Sequence, residues 1–325
     1  MLSTYVTEHW GLRYPILGAP MAYSGRGRLA NAISNAGGLG MLGIGSRDSL
    51  EYIEQESAVA RGDGSGTKFG IGLMSWALET RPELLDAALA QNPFLLSISF
   101  GSIRPYVEKA HRAGVHVATQ VSTRSAAVAA SEAGADLIVA QGTEAGGHTG
   151  SVGTLPLLQI VLDSVETPVA AAGGIAAPTG VAAVLAAGAA AAWVGTAFLL
   201  SPEADLTDEA RRRLTDADET QTIHTHVFDR VNQLAWPPEF PGRALRNGFA
   251  ERWHGHEDEL VSNPDEVARF RRGADAKDYE ITSIYAGQSV AMLFEQKPAR
   301  DIIQHLGDGA ERLLRGRVQT LLKGQ

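Results

Sequence analysis

Eight short apolar runs, each followed by a segment of helical periodicity or by glycine-rich chain, restrict this sequence more than anything else in it. They are Pro15–Ala19, Leu39–Gly43, Lys68–Leu73, Leu95–Phe100, His116–Gln120, Asp136–Gln141, Val169–Ala172 and Ala192–Thr196. Runs of this length suit strands buried on both faces, and parallel strands need a crossover, usually a helix, between them. The segments Arg28–Ala36, Pro82–Ala90, Ile103–Ala113, Arg124–Ala133 and Thr179–Ala187 supply such helices, each with one apolar face for the sheet. Four of them stop at Ala36-Gly37, Ala113-Gly114, Ala133-Gly134 and Ala187-Gly188, where a glycine can adopt the left-handed conformation that ends a helix. Eight such units in roughly two hundred residues predict a (β/α)8 TIM barrel over residues 1–200 rather than an open doubly wound sheet.

After Ser201 the sequence turns charged and aromatic, as in LTDEARRRL, HTHVFDRVNQLAWPPEFPG and ERWHGHEDEL, and no ninth unit follows. Residues 201–325 are therefore expected to form a mostly helical extension that packs on the barrel mouth. Its run Arg211-Arg212-Arg213 reads as a solvated helix face.

Composition removes several classes. With 28 Lys and Arg against 37 Asp and Glu, the net charge is −9, so no basic face is available for nucleic acid. The chain has no cysteine, which excludes disulfides, thiolate metal sites and covalent thiol catalysis, and fits a reducing compartment. Residues 1–15 carry no basic start followed by an apolar core, so a secretory signal is not expected and the cytoplasm is the expected location. Residues 167–202 are uncharged, yet this run is rich in Ala and Gly and broken at Gly188, so it reads as a helix followed by a strand and not as a membrane span.

Among the motifs, GGLGMLG at Gly37–Gly43 contains GxGxxG. It follows a helix and enters a strand, the reverse of a dinucleotide fingerprint, so its glycines are assigned to close backbone approach. PVAAAGGI, ending in Gly173-Gly174, and AAWVGTAF, with Gly195-Thr196, close the seventh and eighth runs. In such barrels these two loops often bind phosphate, because bare backbone lets N–H groups converge on an anion. The alternative is that these glycines only make tight turns. IVAQGTEAGGHTG closes the sixth run, and its Gly146-Gly147 would present His148 at the barrel mouth, where imidazole can move a proton or hold an anion. The pairs His224/His226 and His254/His256 beside Glu257 have metal-like spacing but lack further ligands, so no metal is predicted. Neither GxSxG nor a P-loop occurs.

Together with ILGAPMA at Ile16–Ala22, AAGGI at Ala171–Ile175, GTAFL at Gly195–Leu199 and AGQSV at Ala286–Val290, these motifs resemble the nitronate monooxygenase family, formerly 2-nitropropane dioxygenases. The resemblance implies FMN at the mouth of a (β/α)8 barrel. It would run Pro20, Met21 and Ala22 along the flavin ring, and set Gln120, Gln141 and Gly146 near its edge and ribityl chain. Gly173, Gly174, Gly195 and Thr196 would hold the phosphate, and Gln288 would return from the tail. Many relatives carry Asn where this chain has Gly72 beside the flavin, and some carry Lys in place of Gln120. Both changes alter hydrogen bonding to the ring.

The implied reaction converts an alkyl nitronate and O2 into a carbonyl compound and nitrite, with His148 as acid–base group and Trp236, Phe240 and Trp253 as apolar cover or core. Small molecules are thus the expected partners, with neither nucleic acid nor membrane, while a homo-oligomer stays open. Two rivals share the motifs: an FMN-dependent NAD(P)H enoyl-thioester reductase, and a flavin-binding protein without catalysis. A phosphate-binding barrel without flavin is the remaining alternative.

Overall fold

The computed structural model describes residues 2–63 and 67–321. Its main sheet contains β1 (Ile16–Gly18), β2 (Gly40–Gly43), β3 (Phe69–Met74), β4 (Leu95–Ser99), β5 (His116–Val121), β6 (Leu137–Gln141), β8 (Val169–Ala172) and β9 (Ala191–Val194). A two-residue strand, β7 (Gly147–His148), lies outside it. All pairs in the main sheet are parallel, in the order β1-β9-β8-β6-β5-β4-β3-β2. The ends of that order meet: Gly18 N–H donates to the Leu39 carbonyl at 2.8 Å, and Leu39 N–H to Ile16 at 3.1 Å. The sheet is a ring with no free edge, the (β/α)8 barrel that the eight runs predict.

Side-chain alternation divides the strands between two cores. Leu17, Met41, Leu95, Ala118, Leu137, Val139, Ala170, Ala172 and Trp193 form one cluster with Val6, Trp10 and Leu12 of the N-terminal segment. Their neighbours Ile16, Leu42, Leu96, Val117, Ile138, Ala171 and Val194 join the cores of the surrounding helices. A strand buried on both faces shows this division, and alanine at many inner positions keeps the interior narrow. The glycines of GGLGMLG have the steric role expected of them. A Cβ on Gly40 would lie 2.0 Å from the Ala30 carbonyl oxygen, and one on Gly43 would lie 2.3 Å from Ala22 N.

The extension departs from expectation. The helix Ala299–Leu321 packs against the helices Pro178–Ala186 and Gly27–Asn35, burying Ile303, Leu306 and Ala310 completely. Gly307 rests on the Tyr14 ring, whose hydroxyl donates to Asp308 at 2.9 Å. This helix is the eighth of the barrel. Residues 201–298 are therefore an insertion between strand β9 and its own helix, and residues 201–325 are not one extension.

Nor is the insertion only helical. It contains an antiparallel hairpin of β10 (Thr222–Thr225) and β11 (Gly242–Leu245), which β7 joins as third strand. The helices Val227–Val231, Gly248–Trp253, Glu257–Val261 and Pro264–Asp275 pack around a separate core of Phe228, Phe249, Trp253, Leu260 and Phe270.

Arg211 also differs from its predicted solvated setting. It is 7% exposed, and its guanidinium donates to the carbonyls of Leu199, Ser201, Ala204 and Leu206. The irregular chain leaving β9 buries carbonyls with no helical or sheet partner, and a forked cation supplies enough donors for them. Of the arginine run, Arg212 alone is mostly exposed, while Arg213 pairs with Glu209 and Glu280.

If the last helix closes the barrel, Leu306→Ala should lower the unfolding free energy in urea by about 2–5 kcal/mol. Leu321→Ala, at a position 70% exposed, should leave it nearly unchanged.

Candidate active site

The site is built where the loop after β6 leaves the barrel. That loop is anchored first by Glu144, whose carboxylate accepts from Thr154 N at 2.9 Å and Thr154 Oγ1 at 2.9 Å, at the start of the helix Thr154–Leu162. A carboxylate suits this position because the first N–H groups of a helix have no partner within it. Beyond the anchor, Gly147 takes a positive φ of 73° and β7 pairs with β11, setting His148 opposite Gly242. Arg243 fastens the same seam, its Nε donating to the Thr143 carbonyl at 2.8 Å and Nη1 to Thr222 Oγ1 at 3.1 Å.

This seam buries His148. Its Nε2 lies 2.9 Å from Asp229 Oδ1, with the two side chains only 9% and 3% exposed. The Trp236 ring stacks on the imidazole with centroids 3.3 Å apart and planes within 6°. Phe100 meets the imidazole edge-on at 6.3 Å, and Tyr285 lies 5.6 Å away. Trp76 packs on Trp236, and Phe240 on Phe100, to complete an aromatic wall. Phe100 itself has a positive φ of 65°, a costly backbone state for a bulky residue, at the end of β4.

The electrostatics follow from burial. Burial alone would raise the Asp229 carboxyl, but the hydrogen bond to His148 and the pull of the nearby His226 outweigh it, holding the group below the usual carboxylate range. Asp229 is therefore an anion inside the protein. Burial, and then that negative charge, push the Tyr285 phenol far above its ordinary value. His224, whose Nε2 is 3.0 Å from Thr149 Oγ1, is pushed down by burial and then by the Arg243 charge.

A second group of residues clusters through bare backbone. Gly173 and Gly174 have φ of 106° and 70°. A Cβ on Gly173 would sit 2.7 Å from Thr154 Oγ1. The tail segment Ala286–Gln288 is woven into the loop after β6: a Cβ on Gly146 would approach the Ala286 carbonyl carbon to 2.6 Å, and one on Gly287 the Glu144 oxygen to 2.5 Å. Gln288 N–H donates to the Glu144 carbonyl at 2.9 Å, and Gly287 N–H to Thr196 Oγ1 at 3.0 Å. Among the described residues, the backbone N–H groups of Gly174, Gly195 and Thr196 have no acceptor.

Pro20, Met21 and Ala22 form the neighbouring contacts. The position a Gly72 Cβ would take is 2.3 Å from Pro20 Cβ, so the proline ring occupies the space that a side chain at position 72 would need. Ala22 bridges to Gly43, and Met21 Sδ lies beside Gly195, 3.5 Å from where its Cβ would be. Gln120 and Gln141 lie toward the C-terminal ends of adjacent strands β5 and β6, with Gln141 buried and Gln120 N–H donating to Ser99 Oγ at 3.0 Å. The structure thus joins Pro20, Met21, Ala22, Gly72 and Gly195 in one set of contacts and Gly146, Gly173, Thr196 and Gln288 in another. His148 is held beside them by the insertion.

Sequence reasoning missed Asp229, Phe100 and Tyr285. One signal was available for the first: an acidic residue three positions after His226 inside the apolar stretch VFDRV. The paired histidines do not converge. His254 Nδ1 lies 3.0 Å from Thr225 Oγ1 and His256 Nδ1 3.1 Å from Glu259, and among the described residues no group of three metal-ligating side chains forms. Trp253 belongs to the insertion core and not to the wall over His148.

Comparisons with known proteins fit this arrangement. The family model for nitronate monooxygenase matches residues 79–309. Nitronate monooxygenase from Neurospora crassa is 30% identical over 92% of this chain and 90% of its own length. A 5-hydroxy-7a-methyl-1-oxo-octahydro-1H-indene-4-carboxyl-CoA dehydrogenase from Rhodococcus jostii is 35% identical over 65% of this chain, a match that spans 59% of that relative's length. FabK from Thermotoga maritima superimposes with a TM-score of 0.86 at 28% identity, covering 99% of this chain and all of that one. Nitroalkane oxidase from Streptomyces ansochromogenes gives 0.80 at 30% identity, covering 96% of this chain and 99% of that one. The chain belongs to the nitronate monooxygenase family, whose members are flavin-dependent oxidoreductases.

Because Gly146 and the tail segment share one space, Gly146→Ala should displace residues 286–288 and release bound flavin, read as a fall in visible relative to ultraviolet absorbance. Gly316→Ala, whose Cβ would meet nothing within 4 Å, should retain it.

Proposed function

We propose that this chain is an FMN-dependent nitronate monooxygenase that oxidises alkyl nitronates with O2 to a carbonyl compound and nitrite. The observation that carries the reading is an imidazole at the barrel rim, bonded through one nitrogen to a buried carboxylate and, among the described residues, bearing no other hydrogen bond.

The rim suits the cofactor. Glycines at positive φ leave no side chain over Gly173 and Gly174, and unpaired N–H groups at Gly174, Gly195 and Thr196 match the needs of a phosphate dianion. These four residues would hold the FMN phosphate. Pro20, Met21 and Ala22 would lie along the ring, with Gly72 giving Pro20 its place. Gln120, Gln141, Gly146 and Gln288 would meet the ring edge and ribityl chain. Bound there, the flavin supplies the acceptor for the electrons that leave the nitronate.

The chain's own groups do the rest. A carboxylate can only accept, so Asp229 fixes the His148 tautomer with hydrogen on Nε2 and a lone pair on Nδ1. That lone pair takes the α-proton of a neutral nitroalkane. Once protonated, the same nitrogen donates to the anionic nitro group and holds a nitronate in place. Asp229 steadies the resulting imidazolium, as the carboxylate does in other His-carboxylate pairs. Trp236, Phe100 and Phe240 exclude water from the imidazole face and suit an alkyl chain.

A second reading, an NAD(P)H-dependent enoyl-thioester reductase, draws support from the relative named for a carboxyl-CoA substrate and from the FabK superposition. Anaerobic mixing separates the two. Bleaching of the flavin by nitronate alone supports the monooxygenase; rapid bleaching by NADPH supports the reductase; neither result would leave a flavin-binding protein without this catalysis. In the first case His148→Asn should keep the yellow flavin but lower turnover by about 10²–10⁴-fold. Unchanged turnover would remove His148 from the mechanism.

A further inference from the structure

We propose that His226 is a positioning residue that shares Asp229 with His148, so that one buried carboxylate serves two imidazoles, one facing the active site and one facing solvent. The inference deepens the reading of His148 as the acid–base group and rests on it.

Asp229 uses only Oδ1 for His148. Its Oδ2 is buried and, among the described residues, has no hydrogen-bond donor, a costly state for an ionised oxygen. The nitrogen facing it is His226 Nδ1 at 3.8 Å, beyond hydrogen-bond length. His226 is 31% exposed, and its Nε2 lies 3.0 Å from the Pro238 carbonyl, in the loop that carries Trp236.

That carbonyl decides the protonation pattern. A carbonyl oxygen only accepts, so Nε2 carries the hydrogen, and a neutral His226 must turn an Nδ1 lone pair toward the Asp229 anion. Attraction appears only when Nδ1 gains its own proton. His226 therefore clamps Oδ2 as an imidazolium and releases it when neutral.

Both imidazoles draw on one negative charge, and each protonation weakens the other. A proton taken from substrate by His148 Nδ1 is then offset by loss of the His226 Nδ1 proton to solvent, with the net charge of the trio unchanged. The surroundings agree in sign. Asp229 holds His226 above the usual histidine range, against burial, and Glu257 adds to this across Thr225. Other titratable groups nearby, among the described residues, are His254, 3.9 Å from Glu257, His224, two residues before His226, and Tyr285, which feels the Asp229 charge.

The test follows the His226 imidazole by NMR in holoenzyme labelled with 15N-histidine, assigned with His226→Asn. Asp229→Asn should lower its titration midpoint, and His148→Asn, which leaves the carboxylate to His226 alone, should raise it, each by about half a pH unit or more. A midpoint that is the same in wild type and both variants overturns the proposal; if Asp229→Asn does not fold, an unmoved midpoint in His148→Asn overturns it alone. Kinetics supply the second readout. His226→Gln should lower kcat/KM for a neutral nitroalkane about tenfold, the loss typical when a supporting partner is removed, and spare the preformed nitronate, which needs no proton abstraction. Shifted midpoints in an enzyme that oxidises neither compound support the shared carboxylate and overturn the nitronate reading instead.

Discussion

Two residues of strand pairing hold this molecule's chemistry together. When β7 leaves the barrel rim to join β11, it carries His148 out of the loop after β6 and into a setting where a buried carboxylate reaches it. Without that pairing the imidazole would sit on a glycine-flanked loop free to sample many positions. With it, the backbone is fixed on one side by the ladder, the ring on one edge by Asp229, and one ring face by Trp236. An unpaired anion inside a protein is strongly disfavoured, so Asp229 and His148 each account for the other's burial.

Around the rim, absence of side chains is as organised as their presence. Gly146 and Gly287 pack backbone against backbone, Gly43 admits Ala22, and Gly72 admits the Pro20 ring. Each of these approaches is closer than any Cβ allows. The result is a surface made largely of peptide groups, whose N–H donors have fixed directions and need no rotamer ordering when they bind an anion. A side chain at position 72 of this chain would have to displace the Pro20 ring.

The barrel was legible because its signal is local: a buried strand announces itself in five residues, and a glycine at a helix end in one. The sequence pattern located all eight strands, and the glycine-rich loop after the sixth run pointed to His148. What it did not show depends on residues far apart along the chain. Asp229 meets His148 across 81 positions, and nothing near either residue encodes the hairpin that joins them. Arg211 was misread because a run of three arginines looks solvated, whereas the carbonyls that bury it come from an irregular segment with no periodicity. The helix Ala299–Leu321 has ordinary amphipathic spacing, but its separation from β9 hid the strand it belongs to.

That separation bears on how the molecule is made. Synthesis runs from the N-terminus, so the eight staves and the whole inserted unit emerge from the ribosome before the helix that completes the circle. Until it arrives, the faces of the Gly27–Asn35 and Pro178–Ala186 helices that it will cover remain open to water or to a chaperone. A nascent chain that stops short of Ala299 therefore lacks a structural keystone, and the two helix faces it covers stay bare.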